Sequence, residues 1–128
     1  MRLLLDTHAL LWAVTGDKRL TRKAEAALAD LSAEIFVSAA SAWEIATKFR
    51  LGKLAGADPL VNHFDATLRR VGFYGLPIGM DHARRAGLLD GDHKDPFDRM
   101  LIAQALIEDL TLVSNEKPFD SFGVRRLW

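Results

Sequence analysis

Leu3, Leu4 and Leu5 form an apolar run with no alternation, and a carboxylate, Asp6, follows it at once. A strand with water on one face alternates apolar and polar residues. One that does not is buried on both faces, as in the centre of a parallel sheet. Thr7 then offers an N-cap for the apolar stretch Ala9 to Val14. Asp6 therefore falls in a strand-to-helix turn at the carboxyl end of a central strand, where ligands bind in open α/β sheets. Capping the helix and holding a ligand account equally well for an acid there.

The same grammar recurs down the chain. Gly16-Asp17-Lys18 breaks the pattern, and Thr21 caps an expected helix to about Leu31, with Ala24, Ala27, Leu28 and Leu31 at helical spacing. Ile35 to Val37 reads as a second strand, and Ser38 as the cap of a helix running from Ala39 to about Leu51, stopped by Gly52. Asp58-Pro59 pairs a cap with proline at the first helical position and predicts one helix to Val71. Phe73 to Leu76 is a third strand, Asp81 the expected cap of a helix from His82 to Leu89, and Asp90 to Lys94 a polar loop. Asp95-Pro96 opens a helix that is apolar on nearly every face from Met100 onward, Gln104 excepted. Thr111 to Val113 and Val124 to Leu127 complete the strands. Strands alternating with helices predict an α/β fold: a parallel sheet of four or five strands with helices on both faces. The strand order is not readable from this pattern.

At 128 residues the chain fits a single domain, residues 1–128. Its 49% apolar content suffices for a core, and no stretch approaches a membrane span. The opening residues do not read as a signal peptide, since the short apolar run after Arg2 meets Asp6 and His8; a soluble cytoplasmic protein is the expectation. Without cysteine, neither disulfides nor thiolate metal sites are open to it. Seventeen basic and 17 acidic residues balance, which argues against strong non-specific nucleic-acid binding but not against an enzyme that holds nucleic acid through a metal.

Further acids share the placement of Asp6. Glu44 lies beyond the second strand; Ser41-x-x-Glu44 has capping-box spacing, yet Ser38 already provides a start, which puts Glu44 in the second turn. Asp95 is an N-cap and Asp98 the third residue of its helix, where a carboxylate suits the helix dipole. Two acids stand where one would serve. Glu116 follows the fourth strand in Val113-Ser114-Asn115-Glu116. Carboxylates at the ends of parallel strands and at a buried helix's start can share one crevice. A hard cation such as Mg2+ or Mn2+ resolves their repulsion. A zinc site does not fit, because His8, His63, His82 and His93 lack ligand spacing. A metal so held activates water and stabilises charge on a phosphodiester.

On these residues the chain resembles the PIN-domain ribonucleases, specifically the VapC-type toxins of bacterial toxin–antitoxin pairs. The matching segments are Leu5 to Trp12, Val37 to Ile45, Asp95 to Ala105, Leu112 to Glu116 with Phe119, and the closing Val124 to Trp128. They cover the whole chain in order. The resemblance implies a three-layer PIN-like fold and a Mg2+- or Mn2+-dependent endoribonuclease with Asp6, Glu44 and Asp98 as its catalytic, metal-holding acids. Position 116 usually carries Asp in such enzymes; Glu116 would be a fourth ligand with a longer reach. Asp95 is then a cap and supporting acid, while Thr7 and Ser114 orient acids or water. Arg99 reaches phosphate or pairs with Asp95. The resemblance also implies an RNA substrate, a small cognate antitoxin and a homodimer. Zero net charge and the apolar Trp12–Val14 and Leu51–Leu60 regions suit such association. Lys48, Arg50, Lys53, Arg84 and Arg85 either steer RNA or are solvated surface charge.

Two rivals remain. A signalling receiver domain needs an acceptor Asp after its third strand, where Leu76-Pro77-Ile78-Gly79 has no carboxylate. A PIN-like binding module without catalysis sits poorly with intact Asp6, Glu44 and Asp98.

Overall fold

The computed structural model describes residues 1–128. Strand β1 (Arg2–Leu5) leads into helices α1 (Thr7–Thr15) and α2 (Arg22–Ala29), then β2 (Glu34–Ser38). Helices α3 (Ala39–Arg50), α4 (Asp58–Asn62) and α5 (Phe64–Val71) precede β3 (Tyr74–Leu76). Helices α6 (Met80–Leu88) and α7 (Pro96–Glu108) lead to β4 (Thr111–Val113), a 3₁₀ turn (Lys117–Phe122) and β5 (Arg126–Leu127).

The five strands form one sheet, all parallel, in the order β3-β2-β1-β4-β5. As the leucine run predicts, β1 is central: Leu3, Leu4 and Leu5 are fully buried. Successive side chains point to opposite faces of a strand. Leu3 and Leu5 accordingly join a core with Leu10, Ala24, Ile45 and Leu68, while Leu4 joins another with Leu101, Ile102, Ala105 and Phe119. The sheet is thus the middle of three layers, as expected. The sheet order also disposes of the receiver reading, whose doubly wound order is 2-1-3-4-5.

Several local expectations are corrected. Asp6, not Thr7, caps α1: its Oδ1 accepts from Ala9 N at 2.8 Å, and Thr7 is the first helical residue. Ser38 caps α3 through Ala40 N as expected, so Ser41 and Glu44 form no capping box. The single helix expected from Asp58 to Val71 is two, broken at His63 (φ −135°, ψ 48°). Leu60 of α4 and Leu68 of α5 both enter the larger core. Asp58 lies inside α4 after a cap residue, Ala57, that has no side-chain bond. Helix α6 begins at Met80, before Asp81, because the His82 ring takes the Gly79 N–H at 2.9 Å and supplies the cap from within. Strand β5 shrinks to two residues.

Candidate active site

From β1 the chain runs to β2 on one side, while β4 pairs on the other. The sheet therefore changes direction between β1 and β4, and ligands bind beyond the strand ends at such a switch point. Asp6 stands there. Its N–H bonds to Val113 O at 3.1 Å, which pins it between the two strands, and the residue is 5% exposed.

Each further acid reaches this end by a different element. Helix α3 starts directly off β2, and its second turn delivers Glu44, 6% exposed, toward the start of α1. There Thr7 Oγ1 donates to Glu44 Oε1 at 2.5 Å and lies 3.2 Å from Ser41 Oγ. Lys48, one turn on, bonds to Glu44 Oε2 at 2.5 Å. Helix α7 is capped by Asp95, whose Oδ1 accepts from Phe97 N and Asp98 N. Asp98 Oδ2 lies 2.8 Å from His93 Nε2. After β4, Ser114 is fully buried, and its Oγ accepts from Glu116 N at 3.0 Å.

The electrostatics show that these groups share a field. Burial pushes the Asp6 carboxyl above its ordinary value of 3.8; the Ser114 hydroxyl, the Ala9 N–H and His8 pull it down, and Glu116 adds to the rise. Burial likewise lifts Asp98 to about 6. The His93 hydrogen bond opposes that rise, and the charges of Asp95 and Glu116 reinforce it. Lys48 is held above its ordinary value chiefly by its bond to Glu44, with Asp95 and Asp98 contributing. Glu116 thus bears on both Asp6 and Asp98, and Lys48 on both Glu44 and Asp98.

With the side chains as they lie, no three His, Asp or Glu residues stand close enough to share one ion. Asp6, Glu44 and Asp98 each have a protein partner instead: Ala9 N for Asp6, Thr7 and Lys48 for Glu44, His93 for Asp98. The donor chemistry nevertheless fits a hard dication. The set is all carboxylate oxygen, and two of its members carry a desolvation cost that a cation would offset.

Arg99 does not pair with Asp95. Its guanidinium donates to three backbone carbonyls, those of Ala86, Leu89 and His93, and reaches no acid. Sequence reasoning passed over His93, Ser41 and Lys48 as members of this neighbourhood. The available signal for His93 was its position just before a capped helix mouth, and for Lys48 its i,i+4 spacing from Glu44. Arg126 was also passed over; it holds the Ser114 carbonyl at 3.0 Å while pairing with Asp120.

The sequence pattern of the PIN domain family matches residues 3–124, and the chain belongs to that family. It is 44% identical over 57 residues to Ribonuclease VapC16 of Mycobacterium tuberculosis. That stretch takes in 44% of this chain and 39% of that protein, so the chain matches less than half the relative's length. Among solved structures it resembles a chain of VapBC2 from Rickettsia felis bound to a DNA fragment from their promoter, with a TM-score of 0.67 and 17% identity over 100% of both chains. It also resembles a chain of FitAcB from Neisseria gonorrhoeae, with a TM-score of 0.68 and 18% identity over 97% of this chain and 95% of that one. At these identities the likeness is one of fold. No helix is long and apolar enough to cross a membrane.

Proposed function

We propose that this chain is a Mg2+- or Mn2+-dependent endoribonuclease that acts in the cytoplasm as the toxin of a toxin–antitoxin pair. The observation that carries the reading is that Asp6, at the sheet's switch point, and Asp98, at the start of α7, are both lifted by burial and both feel the charge of Glu116. Asp6, Glu44 and Asp98 would hold the ion, with Glu116 as a fourth ligand. Once bound, the ion supplies the positive charge that makes water a nucleophile at neutral pH and offsets charge on a phosphodiester. The chain's own residues prepare the place. Thr7 fixes Glu44 by one oxygen, while Lys48 occupies the other in the metal-free protein. Ser114 lies against Asp6 and favours its ionised form.

Purified protein should cut structured RNA in Mg2+ or Mn2+ and stop in EDTA. Full cleavage after exhaustive metal removal would rule the mechanism out.

For the partners, the support is family membership and the fold shared with a chain of a toxin–antitoxin complex from Klebsiella pneumoniae. A small antitoxin and a second copy of this chain are the proposed partners. Trp12 and Val14 are half-buried against the larger core, whereas Leu51 is exposed, so the region around Leu51 has more surface free for a partner. Co-expression with a candidate antitoxin should give a stable complex that no longer cleaves RNA. Sedimentation as a lone monomer at tens of micromolar, roughly where a weak dimer still forms, would rule out self-association.

A further inference from the structure

We propose that His93, seated by Arg99, is a positioning residue that fixes the Asp98 carboxylate for the metal ion; this rests on the metal-dependent reading above. The polar stretch Asp90 to Lys94 has no regular structure, yet it is tied down at both ends of one arginine. Arg99 Nε donates to Ala86 O at 3.0 Å and Nη2 to Leu89 O, two carbonyls at the end of α6 that have no helical partner of their own. Its Nη1 donates to His93 O at 3.0 Å. One planar fork thus joins the end of α6, the loop and the first turn of α7. Arg99 is also the next residue after Asp98, so the clamp and the acid share a turn of backbone.

The ring of His93 is held as firmly as its carbonyl. It packs against Phe119 (5.9 Å between centroids) and edge-on to Phe122 (6.1 Å). The loop lies so close to Phe122 that a Cβ on Gly91 would come within 3.1 Å of that ring, at a φ of 121°. Only glycine suits that position. The ring's Nε2 meets Asp98 Oδ2 at 2.8 Å. An ionised carboxylate only accepts, so Nε2 carries the hydrogen of that bond. Oδ1 of Asp98 makes no hydrogen bond within the chain. One oxygen is anchored and the other is left for a ligand. Removing the hydrogen-bond partner of a metal-ligating group typically lowers metal affinity or activity about 10–100-fold.

The test is Mn2+ binding, read from the magnetic resonance signal of free Mn2+, with a thermal melt in EDTA to confirm folding. His93→Ala should weaken Mn2+ binding about tenfold or more. His93→Gln, which keeps a donor, should recover part of the loss. Arg99→Lys keeps the charge but cannot serve three carbonyls, and should weaken Mn2+ binding with His93 intact. The double variant Arg99→Lys/His93→Ala should be little worse than His93→Ala alone, because both act through one bond. A purely structural role would lower the melting temperature and leave the Mn2+ affinity of the folded protein unchanged. Wild-type affinity, or tighter binding, in His93→Ala overturns the proposal. If wild type binds no Mn2+, the metal-dependent reading falls and takes this inference with it.

Discussion

Thr7 donates its hydroxyl hydrogen to Glu44 over 2.5 Å and ties the first turn of α1 to the second turn of α3, 37 positions away in the chain. Both residues are buried, and both stand one step from the sheet: Thr7 follows Asp6, and Glu44 rides on the helix that leaves β2. The bond therefore fixes the spacing between two of the acids more directly than any backbone contact does.

Thr7→Val keeps the shape and removes the donor. Glu44 is then left with Lys48 alone in a buried setting, and loss of a hydrogen bond to a charged group costs about 1.5–3 kcal/mol. A urea titration should show that loss, and Thr7→Ser should restore most of it. A Thr7→Val protein as stable as wild type would mean the bond is not made in solution.

Asp98 gives a pH signature. Its carboxyl titrates near 3.8 in an unfolded chain and at about 6 in the folded protein. Between these values the native state binds more protons, so stability falls as pH rises and the full cost is present above about pH 6. Allowing for the water Asp98 still meets, that cost is about 1–2 kcal/mol. Metal-free Asp98→Asn should therefore melt no lower than wild type at pH 7, and higher if the lost His93 bond costs less than the charge. The difference should shift in favour of wild type as pH falls toward 4. A wild-type advantage at pH 7 that does not change with pH would make Asp98 a simple helix-start acid.

In the proposed metal site Lys48 would compete with the ion for Glu44, since its ammonium bonds to Glu44 Oε2. Lys48→Gln should cost little stability, within about 1 kcal/mol for a partly exposed pair one helical turn apart. The concentration of Mn2+ at half-saturation should fall. Unchanged or weaker Mn2+ binding would show that Lys48 organises Glu44 and does not block it.

Much of this arrangement was legible in the chain. The unbroken leucines of β1 announce a strand buried on both sides, and Asp6, Glu44, Asp98 and Glu116 all announce themselves by following a strand or opening a helix. What stayed hidden depends on distance through space. For Arg99 the sequence offered phosphate or Asp95, but α6 lies against α7 and offers bare carbonyls that the guanidinium takes. His93 looked like an ordinary loop residue because nothing local shows that Phe119 and Phe122 return to seat it. The kink at His63 was equally unreadable, since the periodicity of Leu60, Phe64 and Leu68 suits one unbroken helix.

Asp6 offers the most direct test of the central claim, that the acids at the switch point hold the ion that RNA cleavage requires. Asn caps helices as well as Asp does, so Asp6→Asn should fold with the Ala9 cap intact while losing its charge. The measurement is the rate of cleavage of a labelled structured RNA against Mn2+ concentration, for wild type and Asp6→Asn, with thermal melts in EDTA alongside. Wild type should show a saturable dependence on Mn2+, and Asp6→Asn should melt at least as high in EDTA yet cleave at background at every Mn2+ concentration. A folded Asp6→Asn protein that follows the wild-type Mn2+ curve would contradict the account.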